Sequence, residues 1–202
     1  MAEKLRALQR IAGAAAALGL CTGAFPQSPY PGTGSSQARK GDTFIGIAIG
    51  KPHYDTSCGN ITGLSCSNNG TSVSVTAGNM FSEYWGAELS YLDLGKADRA
   101  GGSVDARGLN LSLVGRVPLG DHFDIAGKVG ATYGVTHVNA NPLAGLMNGR
   151  DSGWGLGYGV AVNVHFPRGL NASVGWEQHD FQFAGQGTSA VKNITLGMAY
   201  RF

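Results

Sequence analysis

The chain has 202 residues, 33 of them glycine, about twice the usual share, while charged residues make up only 14%. A mean hydropathy of −0.05 with 9% aromatics excludes a highly charged disordered tail. The composition also excludes a coiled coil, and no run of about 18 apolar residues is present to make a membrane-crossing helix. Residues 1–24 contain Lys4, Arg6, Arg10 and Glu3; of the 15 basic and 13 acidic residues in the whole chain, the remainder are 12 and 12. The rest of the chain is therefore neutral, with no excess positive charge for binding nucleic acid.

Lys4, Arg6 and Arg10 precede the apolar stretch Ile11 to Leu20, and small residues follow at Thr22-Gly23-Ala24. A basic start, a short apolar core and a small-residue exit read as a secretory signal over residues 1–24, cleaved after Ala24. Cys21 follows Leu20 rather than the small residue that lipidation favours, so it is expected to leave with the signal. Residues 25–41, with Pro26, Pro29 and Pro31, read as a flexible spacer. That leaves Cys58 and Cys66 in an exported chain, where an oxidising compartment favours a disulfide between them. Zinc would need four ligands, and only His53 is nearby.

From residue 42 to 202 the pattern turns to period two, the mark of strands. The first run alternates Ile45, Ile47 and Ile49 with Phe44, Gly46 and Ala48. The second, Ser72 to Met80, is the least apolar. Trp85, Ala87, Leu89 and Tyr91 alternate with Gly86, Glu88 and Ser90 in the third, which ends at Leu94. The fourth sets Leu109, Leu111, Leu113 and Val117 against Asn110, Ser112 and Arg116. The fifth sets Phe123, Ile125, Val129, Tyr133 and Val135 against Lys128, Gly130, Thr132 and Gly134. In the sixth, Leu156, Tyr158, Val160, Val162 and Val164 face away from Gly157, Gly159, Ala161, Asn163 and His165. The seventh has Leu170, Ala172, Val174 and Trp176 opposite Asn171, Ser173, Gly175 and Glu177. The last has Ile194, Leu196, Met198, Tyr200 and Phe202 opposite Thr195, Gly197, Ala199 and Arg201.

Which face points inward decides the class. A soluble barrel would turn the apolar face in and carry many Lys and Glu residues on the other face. Here the second face is mostly Gly, Ala, Ser, Thr and Asn, which suits a crowded interior. Apolar outside with small and polar inside, over strands of about ten residues, predicts an all-β, eight-stranded antiparallel transmembrane barrel. Closure removes the strand edges that lipid cannot satisfy. The links after the second, fourth and sixth runs are short. Those after the first, third, fifth and seventh read as longer and polar, which puts the short turns and both chain ends in the periplasm. Trp85, Phe123, Tyr200 and Phe202 are expected in the lower aromatic girdle, and Tyr91, Tyr133, Trp154 and Trp176 in the upper one.

Three stretches carry a family resemblance. Glu88-Leu89-Ser90-Tyr91-Leu92-Asp93-Leu94-Gly95 resembles the third strand of the OmpA-like transmembrane domain family. Arg116-Val117-Pro118-Leu119-Gly120-Asp121, leading to Lys128-Val129-Gly130, is similar to that family's fourth strand, periplasmic turn and fifth strand. The ending Leu196-Gly197-Met198-Ala199-Tyr200-Arg201-Phe202 resembles its closing strand. There the resemblance makes Gly197, Tyr200 and Phe202 the signal read by the barrel-assembly machinery. A two-cysteine first loop is similar to a subset of the family in Gram-negative bacteria. The chain departs from full-length OmpA-type proteins in having no peptidoglycan-binding domain after the barrel, so wall anchoring does not carry over.

Glu88, Arg116, Lys128, Glu177 and Arg201 are expected to point into the lumen, where opposite signs must meet or be hydrated. Structural filling of a narrow barrel outweighs a switchable ion-pair gate, because eight strands enclose little more than side chains. Glu88 with Lys128 is the preferred pair. His165 and His179 point inward at opposite ends, which argues against a shared metal. His137, Asp151 and Ser152 are read as sharing one loop, which gives only weak support to a lipid-modifying enzyme. Gly153 to Gly159 lies in a strand with no helix after it, so it is not a phosphate cradle. The expected role is non-enzymatic and needs no cofactor or metal: envelope integrity and surface contact through the first and third outer loops. A narrow porin gated by the lumen ion pairs is the alternative, and a lipid-modifying enzyme a remote third. The expected partners are outer-membrane lipid, lipopolysaccharide, the assembly machinery and a host or surface ligand, with no nucleic acid.

Overall fold

The computed structural model describes residues 40–54, 70–99, 102–139, 149–183 and 187–202. The segment expected to be a secretory signal, nearly all of the expected spacer, and Cys58 and Cys66 lie outside the described residues. The elements in order are β1 (Thr43–Tyr54), β2 (Ser72–Met80), β3 (Trp85–Arg99), β4 (Gly102–Pro118), β5 (Phe123–Asn139), β6 (Gly149–His165), β7 (Leu170–Phe183) and β8 (Gly187–Arg201). Each strand pairs antiparallel with the next, and β8 returns to β1 to close the barrel. At the seam Phe202 N donates to Thr43 O at 2.9 Å and Thr43 N to Phe202 O at 3.1 Å. This is the all-β, eight-stranded antiparallel barrel that the alternation predicts.

The alternation sets the wall. Ile45, Ile47 and Ile49 of β1, Leu109, Leu111 and Leu113 of β4, and Ile194, Leu196 and Met198 of β8 all stand exposed on the outer face. A continuous apolar girdle of this extent marks a surface that meets lipid, not water. The weakly apolar β2 takes its register from its neighbours, Val75 opposite Ile47 on one side and Tyr91 on the other. Three four-residue turns join the strands at one end, around Phe81–Tyr84, Leu119–His122 and Phe166–Gly169. The last contains a short 3-10 turn in which Arg168 adopts φ 67° and Gly169 φ 81°.

At the other end the structure corrects the strand lengths. β3 continues to Arg99 and β4 begins at Gly102, so residues 100–101 alone join them; residues 184–186 alone join β7 to β8. The links after the third and seventh strands are therefore short hairpins, not long loops. The cause is a change in what the strand must satisfy. Above the apolar belt the outward row turns polar, with Lys51, Asp93, Arg107, Gln178 and Asp180, while the inward row turns apolar, with Leu94, Val104, Val138, Phe181 and Phe183. The period stays at two and the phase inverts, so the apolar face that marked the strand disappears although the ladder runs on. The same extension places His137 on β5 and Asp151 and Ser152 on β6, with Asp151 opposite Thr136, rather than together in a loop.

Candidate functional site

The interior divides into three layers. At the turn end, Asp124 of β5 accepts hydrogen bonds from His165 Nε2 of β6 and Asn163 Nδ2, both at 2.5 Å, with Arg116 of β4 3.8 Å away. Arg201 of β8 donates to Asn171 Oδ1 at 2.9 Å and lies 3.5 Å from Asp42. The Arg116 guanidinium sits 5.4 Å from the centroid of the Phe44 ring, so an aromatic face and a carboxylate share its charge. Arg116 and Arg201 thus belong to this rim cluster.

The middle layer is one hydrogen-bonded chain across four strands. Lys128 Nζ donates to Glu88 Oε1 at 3.1 Å and to Glu177 Oε1 at 2.6 Å. Glu177 Oε2 lies 3.3 Å from His179 Nε2, and His179 Nδ1 lies 2.9 Å from Thr132 Oγ1. Asn110 Nδ2 donates to Thr132 Oγ1 at 2.8 Å, and Ser112 Oγ donates to Asn110 Oδ1. The Glu177 carboxylate can only accept, so His179 Nε2 carries the proton between them, while Thr132 Oγ1 accepts from Asn110. Register brings these residues together: Glu88 stands opposite Ser112, and both Lys128 and Glu177 stand opposite Gly159. The glycine between them is the room the two long side chains need. Glu88, Lys128 and Glu177 meet here; Arg116 and Arg201 do not join them.

The third layer, at the loop end, escaped sequence reasoning. Tyr54, Leu94, Ala97, Val104, Ala106, Val138, Phe181, Phe183 and Val191 form a buried apolar cluster inside the wall. The Phe181 ring occupies the space that side chains at Gly134 and Gly108 would fill, on strands two and three away. The single proton of the Tyr54 hydroxyl is shared between Gly95 O at 3.0 Å and Leu94 O at 3.2 Å, tying β1 to the bulge in β3. Burial, reinforced by Asp105 and Asp93, holds its phenol protonated well above the ordinary tyrosine range. The signal was present in the sequence: the alternation of β7 continues through His179, Phe181 and Phe183 with Gln178, Asp180 and Gln182 opposite, its polarity reversed.

A lumen cavity of about 120 Å³ is lined by Glu88, Arg116, Lys128 and Glu177 among others. Pockets that take up organic ligands usually measure about 300 Å³ or more, so this space suits water. Outside, His137 Nδ1 lies 3.5 Å from Asp105, and Asp93 lies 3.1 Å from Arg107. The imidazole is thus engaged by Asp105. Of the girdle residues, Trp85, Phe123, Tyr200 and Phe202 are exposed near the turn end; Tyr91, Tyr133 and Trp154 are exposed toward the loop end, with Trp176 half-exposed. Tyr133 and Trp154 pack at 5.2 Å, and Tyr200 stacks on Phe202 at 6.3 Å. Gly197 faces inward, leaving room for Ser173 and Ala48.

A family profile described as "Outer membrane protein beta-barrel domain" matches residues 12–202. No curated relative matches the sequence. Among solved structures the chain is similar to the attachment invasion locus protein Ail of Yersinia pestis, at 17% identity and a TM-score of 0.55, covering 81% of this chain and 99% of that one. Neisserial surface protein A aligns at 10% identity and a TM-score of 0.62, covering 81% and 100%. OprG of Pseudomonas aeruginosa aligns at 18% identity and 0.54, covering 84% and 99%. Ail has also been solved with the heparin analogue sucrose octasulfate.

Proposed function

The chain belongs to the outer membrane protein β-barrel domain family, and from that premise we propose that it acts as a non-enzymatic surface protein of the Gram-negative outer membrane. In this reading the four-residue turns and both chain ends face the periplasm, and the loop end faces outward. Residues 1–24 are the export signal, Cys58 and Cys66 close a disulfide in the first outer loop, and Gly197, Tyr200 and Phe202 serve recognition by the assembly machinery.

One observation carries the proposal: the walls rise past the apolar belt as a stalk that is polar outside and apolar inside. Seven residues of β3, Asp93–Arg99, extend beyond it. At about 3.3 Å per residue, reduced by strand tilt, that lifts the hairpin roughly 15–20 Å above the hydrocarbon. Such a stalk serves a surface that presents loops beyond the lipid headgroups. Lys51 and His53 on β1, with Lys192 opposite His53 on β8, put basic groups on its outer face. The Ail complex makes a sulfated sugar a sensible first probe.

The test is deletion of residues 55–69 and 140–148, singly and together, in a barrel that still shows heat-dependent gel mobility. Binding to heparin-type glycan or host-cell surfaces is expected to fall with the double deletion, while detergent resistance of the cells depends on the whole barrel. Unchanged binding and unchanged resistance in a complete knockout would overturn the proposal. Lipid A of altered composition on overproduction would move the protein to the enzyme class.

A further inference from the structure

We propose that, above the rim cluster at the turn end, an apolar plug of Phe181 and Phe183 at the loop end shuts the lumen in series with the Glu88–Lys128–Glu177 cluster beneath it. The inference concerns permeation and does not rest on the surface-contact reading.

The two layers differ in kind. The lower one is held by charge: Lys128 bridges two carboxylates, and His179 links Glu177 to Thr132. A lock of this kind opens when its ions find other partners or water. The upper one carries no charge. Phe181 and Phe183 are each 1% exposed, and the Phe181 ring reaches from β7 across to the bare backbone of Gly134 on β5 and Gly108 on β4. Val104, Ala106, Val138 and Val191 complete the contact around them. Salt and voltage exert no force on such a plug, and an apolar constriction excludes ions by refusing them water. Tyr54 staples the far side by its hydroxyl to Leu94 and Gly95. An ion leaving the mid-lumen cavity toward the loop end must pass the plug whatever the state of the cluster below.

The consequence is a conductance that needs both changes at once. Purified protein is placed in planar lipid bilayers as wild type, as E88A/K128A/E177A, as F181A/F183A, and as the five-site combination. Each is first required to show a heat-modifiable band as proof of a closed barrel. The wild type and the two partial variants are expected to be silent, and the combination to give discrete single-channel steps. Channel activity in the wild type or in E88A/K128A/E177A would show that the plug does not seal. Activity in F181A/F183A alone would show that the charged cluster does not. Silence of a folded five-site variant would place the barrier elsewhere. Should F181A/F183A give no heat-modifiable band, F181A alone takes its place throughout, with the same expected pattern and the same refuting results.

Discussion

Replacing Lys128 with methionine is the sharpest perturbation of the interior. The ammonium touches Glu88 at 3.1 Å and Glu177 at 2.6 Å, and its side chain is 19% exposed. Methionine keeps most of the volume and removes the charge, leaving two largely buried carboxylates facing one gap. Removing one partner of a buried pair typically costs about 3–5 kcal/mol, because the charge left behind has lost both water and its counter-ion. The single acid variants should be milder and should rank. In Glu88→Gln, Lys128 keeps its shorter contact to Glu177, so a loss near 1 kcal/mol is expected. In Glu177→Gln, Lys128 keeps Glu88, but His179 loses its carboxylate at 3.3 Å, so the cost should be about 1–2 kcal/mol more. The triple neutral variant E88Q/K128M/E177Q buries no unpaired charge and should recover most of the loss. Urea titration of the folded band in lipid bilayers measures all four. A K128M variant within about 1 kcal/mol of wild type, or a triple variant no better than K128M, would refute the reasoning.

Two neighbouring glycines on β5 should behave oppositely. A Cβ at Gly130 would collide with the carbonyl of Leu111 on β4, whereas one at Gly127 meets nothing within 4 Å, so Gly130→Ala should cost about 1–3 kcal/mol and Gly127→Ala less than about 0.5 in the same titration. Leu111→Arg, in the outer belt, should cost about 2–4 kcal/mol, and Gln178→Arg, beyond the belt on β7, about 0–1 kcal/mol; equal costs would mean that the belt ends elsewhere. Boiled protein should migrate more slowly after reduction if Cys58 and Cys66 are bridged, and C58S/C66S should abolish that difference.

Period-two alternation was enough to read the closed barrel, because lipid outside and crowding inside act on every strand between the girdles. Phe44, Gly46 and Ala48 could be placed inward and Ile45, Ile47 and Ile49 outward without any knowledge of pairing. The register of β2 could not, since Ser74, Thr76 and Gly78 carry too little bulk to favour one alignment; Ile47 and Tyr91 on the flanking strands supply it. The stalk was illegible for a different reason. Past Trp176 the outward row reads Gln178, Asp180, Gln182, and a search for apolar outer faces stops there, although Phe181 and Phe183 mark the same strand from within. In the lumen, the charged residues and their inward direction followed from spacing. Their partition did not, because strand stagger decides that Glu177 reaches Lys128 while Arg116 turns to Asp124 at the rim.

The central claim is a closed barrel in the outer membrane, and gel mobility of cell fractions, boiled and unboiled, tests it most directly. A closed barrel resists detergent until heated, so the account predicts the protein in the outer-membrane fraction with two bands that differ only by boiling. A single band in the soluble periplasmic fraction would contradict it and return the apolar rows to the inside of a soluble barrel.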